Sequence, residues 1–109
     1  MSELAHLGPV ELLTPKPEES LRFFVDVFGM EVEGQANGSV FLRGWGDYQR
    51  YSLKLTESDG AGLGHMALRA NGPAALQRRV EAIEASGRGE GWIDGDLGHG
   101  PAYRFAFRE

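Results

Sequence analysis

The sequence predicts an α+β fold of two repeated modules, and three observations lead there. Leu7-Gly8-Pro9-Val10-Glu11-Leu12-Leu13 and Leu63-Gly64-His65-Met66-Ala67-Leu68-Arg69 share Leu, Gly and Leu in the same places, 56 residues apart. Each copy is followed by a proline that opens an amphipathic helical stretch, Pro17 and Pro73, again at an offset of 56. Short alternating apolar segments separated by glycine lie between the helical stretches, which is the pattern of strands and tight turns. Matches at one offset point to an internal duplication. A chain of 109 residues buries one core but not two, so both modules share it: a single domain over 1–109, with module one at about 5–57 and module two at about 63–109.

Module one reads as strand, helix and three strands. Ala5 to Leu13 is an apolar run broken by Gly8, Pro9 and Glu11; it forms the first strand, and Pro9 places its start at a sheet edge or a bulge, because proline has no N–H to give a ladder. Pro15 and Pro17 stop it. Pro17-Glu18-Glu19-Ser20 opens a helix, with two acids where the helix dipole favours them. Leu21, Phe24, Val25 and Phe28 follow the i, i+3, i+4, i+7 spacing of one buried face, and Gly29 is the C-cap. Met30 to Gln35 and Ser39 to Arg43 are strands joined at Asn37-Gly38, a dipeptide that supplies two positive φ angles. After a turn at Gly44-Trp45-Gly46-Asp47, Arg50 to Thr56 alternates Tyr51, Leu53 and Leu55 with Ser52 and Lys54, a half-buried strand.

Ser58 to Gly62 links the modules. The second starts with a strand over Gly64 to Ala70, a turn at Asn71-Gly72 and a helix over Pro73 to Ala85. That helix carries Leu76, Val80 and Ile83 on one face and ends at Gly87. Gly91 to Ile93 is a short strand, Asp94 to Pro101 a glycine-rich loop, and Ala102 to Phe107 an alternating strand. The second module therefore lacks its last strand. An open sheet edge is normally covered or paired, so a homo-oligomer or a docked partner domain is expected.

Composition narrows the function. Apolar residues at 41% and charged residues at 25% are those of a globular domain. A net charge of -5 gives no basic footprint for nucleic acid. There is no apolar run long enough to span a membrane and no secretory signal pattern, and a cytoplasmic location is the default. The absence of cysteine excludes disulfides, thiolate metal sites and a cysteine nucleophile.

His65, near the start of a strand, is the sharpest candidate for chemistry, since neutral imidazole is the commonest metal ligand; the plain alternative is a histidine held in the sheet by a hydrogen bond. Side chains two apart share a strand face, so Glu11 lies with Pro9 and His65 with Ala67. If the two first strands lie side by side, Glu11 and His65 approach each other. They still provide two ligands where a catalytic metal takes about three. His99, between glycines, and His6 read as solvated residues. Trp45, Tyr48 and Tyr51 either line an aromatic pocket or cover the sheet, and Glu18-Glu19 suits a first helical turn better than a paired-carboxylate site.

The segments Gly8 to Leu12, Ser20 to Met30, Val40 to Gly44 and Gly62 to Arg69 resemble the vicinal-oxygen-chelate superfamily of glyoxalase I, bleomycin-resistance proteins and type I extradiol ring-cleaving dioxygenases. Arg43-Gly44-Trp45 with the following strand, and Gly98-His99-Gly100-Pro101-Ala102-Tyr103-Arg104-Phe105, look most like the N-terminal domain of a catechol 2,3-dioxygenase or related extradiol enzyme. The resemblance implies paired βαβββ modules curving around a cleft, the glyoxalase/dioxygenase-like fold. It also implies a divalent metal, Fe(II) in the dioxygenases, held by a His on the first strand of each module and a Glu on the last strand of the second. Residue by residue, only His65 matches a ligand position. Pro9 occupies the other expected His position, Glu11 is a weaker alternative, and Glu109 is an outside candidate for the third ligand. In two-domain extradiol enzymes the N-terminal domain is a metal-free duplicate and a C-terminal domain carries the iron. The resemblance thus implies a catechol-cleaving enzyme whose isolated N-terminal domain is inactive. A metal-free, bleomycin-resistance-type module that binds a flat small molecule is the alternative; a glyoxalase-like isomerase fits less well, because Tyr51 to Leu55 offers no carboxylate.

Overall fold

The computed structural model describes residues 4–47, 50–95 and 100–106. Tyr48, His99, Phe107 and Glu109, and the side chain of His6, lie outside the described residues. In chain order the elements are β1 (Leu4–Thr14), α1 (Pro17–Arg22) running into a π-helical segment (Phe23–Val27), β2 (Glu31–Ala36), β3 (Ser39–Arg43), β4 (Leu53–Glu57), β5 (Gly62–Ala70), α2 (Pro73–Ser86), β6 (Gly89–Ile93) and β7 (Ala102–Phe105). This is an α+β fold with a mixed sheet, and its described elements follow the predicted order. The chain forms two compact units, Leu7–Ala67 and Met1–His6 with Leu68–Glu109.

The first unit is built on a five-stranded sheet in the order β2-β3-β4-β1-β5. β1 runs parallel to β4, with Glu11 opposite Lys54 and Leu13 opposite Thr56. β3 runs antiparallel to both β2 and β4. The β2–β3 turn is the one that Asn-Gly demands: Asn37 has φ 51° and Gly38 φ 80°. Period two then separates the residues by face. Leu42, Leu53 and Leu55 are buried together, and Leu12, Leu21, Phe24, Val25, Met30 and Val40 pack against them, so the helix covers this side. Burying each leucine contributes about 1.5–3 kcal/mol.

Thr14 ends β1 and starts the helix. Its hydroxyl accepts the Lys16 N–H at 3.0 Å and meets the Ser20 hydroxyl at 2.8 Å, and Pro17 takes the first helical turn. One expectation needs correction here. Phe28 does not join the buried face; it is 65% exposed. The helix widens, Phe28 N–H donating to the carbonyl of Phe23 five residues back, and that larger ring displaces every later residue from α-helical spacing. Pro9 is buried in the part of β1 that precedes its ladder to β4. The ladder to β4 begins at Val10, whose N–H reaches the Ser52 carbonyl at 3.1 Å, so Pro9, one residue earlier, turns its donorless nitrogen away from β4.

In the second unit, α2 begins at Pro73 and ends at Gly87, whose φ of 80° is the left-handed cap expected of glycine. Val80 and Ala75 are its buried residues, with Leu76 and Ile83 half-buried. β6 pairs antiparallel with β7, and Trp92 stands edge-on to Tyr103 at 5.5 Å. Among the described residues no helix is long and apolar enough to cross a membrane.

Candidate site on the polar face of the sheet

The sheet face opposite the helix carries a polar cluster beside the buried Phe41 and Tyr51. Registers place Glu11 of β1 beside Lys54 of β4, Lys54 beside Phe41 of β3, and Thr56 beside Ser39. β5 adds His65. Glu11 is the hub: its Oε2 accepts the Thr56 hydroxyl at 2.6 Å, and its Oε1 lies 2.9 Å from His65 Nδ1. Because the Thr56 hydroxyl proton is committed to Glu11, the Ser39 hydroxyl donates to Thr56 at 2.7 Å. Lys54 Nζ stands 4.0 Å from Glu11 Oε2 and 5.4 Å from the centre of the Phe41 ring, an ammonium shared between a carboxylate and an aromatic face.

Partial burial by itself would raise the Glu11 carboxyl. The hydrogen bonds from Thr56 and His65 and the nearby charges of His65 and Lys54 outweigh that and hold it below the ordinary glutamate range. Glu11 is thus ionised at neutral pH and can only accept. Nδ1 of His65 must then carry a proton and donate it to Oε1. The His65 side chain is 39% exposed and Glu11 only 16%. The close approach needs Gly64: a Cβ there would overlap Glu11 Oε1 and lie 2.7 Å from Cδ.

The juxtaposition of His65 and Glu11 expected from strand period and duplication is therefore present. Among the described residues the third partner is not. Pro9 offers no donor atom, and among the described residues no group of three His, Cys, Asp or Glu side chains could hold a metal. One imidazole and one carboxylate already bonded by Thr56 and His65 do not fit a catalytic metal centre, which takes about three protein ligands. The aromatic candidates also separate. Tyr51 is buried against Phe41 at 4.8 Å, while Trp45 is 96% exposed, so they line no common pocket. Glu18 and Glu19 stand in the first turn of α1.

Sequence reasoning overlooked the contributions of Thr56, Lys54 and Ser39. The signal was available: if Leu53 and Leu55 face the helix, Lys54 and Thr56 face the other way, onto the strand that carries Glu11.

A family model described as Glyoxalase/Bleomycin resistance protein/Dioxygenase superfamily matches residues 4–107. The chain is 55% identical over 103 residues to the metapyrocatechase of Geobacillus stearothermophilus, covering 94% of this chain and 32% of that protein. It is 35% identical over 106 residues to the manganese-dependent 2,3-dihydroxybiphenyl 1,2-dioxygenase of Geobacillus genomosp. 3, covering 95% and 34%. Among solved structures, homoprotocatechuate 2,3-dioxygenase from Brevibacterium fuscum, in anaerobic complex with 3,4-dihydroxyphenylacetate, matches with a TM-score of 0.86 and 28% identity over 94% of this chain and 33% of that one. The chain spans about a third of the length of these relatives. A family match over nearly every residue, carried by the fold just described, means that the chain belongs to the glyoxalase/bleomycin resistance protein/dioxygenase superfamily.

Proposed function

We propose that this chain is the N-terminal domain of a cytoplasmic extradiol ring-cleaving dioxygenase acting on catecholic aromatics. The observation that carries the reading is 55% identity to a metapyrocatechase across 94% of this chain but only 32% of that protein. The working metal, Fe(II) or Mn(II), is held elsewhere in the polypeptide. The donor chemistry of the polar face supports that division. His65 is bound through Nδ1 to a carboxylate that also serves Thr56, and a proline occupies the place of the second histidine. In this reading His65 and Glu11 lock β5 to β1 and take no part in ring cleavage.

The test is metal content and turnover. After anaerobic incubation with Fe(II) or Mn(II) and desalting, the purified chain should retain well under one metal per chain and should not convert catechol to its ring-fission product. In the longer polypeptide, His65→Ala should leave metal content unchanged. Ring cleavage by the purified chain, or loss of metal on His65→Ala, would overturn the reading.

A further inference from the structure

The chain contains two Asn-Gly dipeptides, Asn37-Gly38 and Asn71-Gly72. In such a pair the backbone nitrogen of the glycine can attack the asparagine carboxamide, because no side chain shields it. The fold gives the two pairs different backbones. Asn37 and Gly38 are exposed and form the β2–β3 turn, between Ala36 and Ser39, which pair across the strands. Asn37 has φ 51°, and among the described residues it is the single non-glycine residue with a positive φ. Asn71 thus has an ordinary negative φ, and Gly72 is the N-cap of α2, its carbonyl accepting the Leu76 N–H at 3.0 Å.

The β2–β3 turn is one peptide flip away from a reactive shape. Positive φ at both Asn37 and Gly38 is the type I′ pattern, whereas type II′, the other hairpin turn, needs it at the first of the two alone. Rotating the peptide unit between Asn37 and Gly38 exchanges one turn for the other, and glycine accepts either sign of φ. The flip gives Asn37 a ψ of about −120°, the value at which the Gly38 nitrogen closes a five-membered ring onto Asn37 Cγ. Among the described residues no hydrogen bond holds the Gly38 N–H, while the Gly38 carbonyl, in the next peptide unit, stays on the Glu57 N–H at 3.1 Å. At the other pair Gly72 is set at φ 130° and ψ 167° to launch α2, and Asn71 lacks the positive φ from which a type II′ turn starts.

We propose that Asn37 is a site of self-catalysed deamidation, carried out by the turn itself with water as co-reactant. The Gly38 nitrogen gives up its proton and bonds to Asn37 Cγ; the Cγ–Nδ2 bond breaks, and ammonia leaves with that proton. Water then opens the five-membered imide. Cleavage at Cγ leaves aspartate, and cleavage at the backbone carbonyl carbon leaves isoaspartate, with the chain now running through Cβ. Either product adds one negative charge to a net charge of -5. Isoaspartate also adds a methylene to the backbone of a turn whose far side is fixed. Ser39, 7% exposed, gives its hydroxyl proton to Thr56 at 2.7 Å, and Thr56 gives its own to Glu11 at 2.6 Å. The longer turn cannot keep both Ala36 opposite Ser39 and Gly38 on Glu57, so the isoaspartyl form loosens this chain of hydroxyls at its outer end. The inference concerns the turn alone and stands whether or not the domain belongs to a catechol-cleaving enzyme.

Peptide mapping by mass spectrometry tests it, on the folded chain held at mildly alkaline pH and sampled over weeks, with the same chain in urea as reference. In the folded chain Asn37 should turn to acid about 10-fold faster than Asn71, whereas in urea the two should react alike. Electron-transfer fragmentation should find isoaspartate at the Asn37 position. The isolated isoaspartyl form should unfold at lower urea than the parent, while Asn37→Asp, which leaves the backbone length unchanged, should keep the parent's midpoint. The inference is overturned if Asn71 reacts as fast as Asn37 in the folded chain, or if both sites react in urea and neither does when folded. An isoaspartyl form as stable as the parent overturns it as well.

Discussion

The two faces of the central sheet use the same strands to opposite ends. On the helix side, Leu42, Leu53 and Leu55 are at most 8% exposed and contribute through area alone. On the other side, Glu11 gathers a threonine, a histidine and a lysine into one bonded group. The helix-side residues are exchangeable for other apolar side chains of similar volume. The polar group is not, because each member satisfies a specific donor or acceptor of another. Period two lets β1 and β4 serve both purposes, since Leu12 and Leu55 face the helix while Glu11 and Lys54 face away.

Breaking the apolar face should have the largest effect. Leu42→Ala empties a position that is 0% exposed and should lower unfolding free energy by about 3 kcal/mol, read from the urea midpoint. Breaking the polar face by geometry comes next. Gly64→Ala drives a Cβ into the Glu11 carboxylate and should cost about 1–2 kcal/mol as the bonds from Thr56 and His65 are displaced; an unchanged midpoint would mean that the carboxylate moves aside without loss. The smallest effect sharpens the contrast by pH. The Glu11 carboxyl is held low in the folded chain, so its contribution is fully present above the ordinary glutamate value and is lost as pH falls through the folded one. Glu11→Gln should therefore be less stable than the parent by about 1 kcal/mol near neutral pH. The difference should narrow as pH falls below about 4.3, whereas the deficit of Leu42→Ala stays constant. A Glu11→Gln deficit that does not change with pH would show that the ionised carboxylate adds nothing.

Much of this was legible because local chemistry and fold agree. Asn37-Gly38, the prolines that open both helices and the caps at Gly29 and Gly87 are signals read at single positions. The meeting of Glu11 and His65 was legible at longer range, since bringing the two duplicated first strands side by side puts them within reach of each other. What escaped depended on relations between strands. That Pro9 stands one residue before the β1–β4 ladder is seen only in the register. Thr56 and Lys54 acquire a role only when β4 is set parallel to β1. Two ligand-type residues with no third among the described residues describe a lineage more clearly than a reaction, and so the sequence spoke to family more plainly than to chemistry.

The widened turn between Phe23 and Phe28 has a consequence of another kind. It makes the outward aromatic face a matter of arithmetic along the backbone and not of side-chain identity. Shorten the segment by a single residue and the ordinary helical step returns, swinging Phe28 toward the leucines under the helix. Length along this segment, more than the identity of any one side chain, decides which residues the helix turns outward.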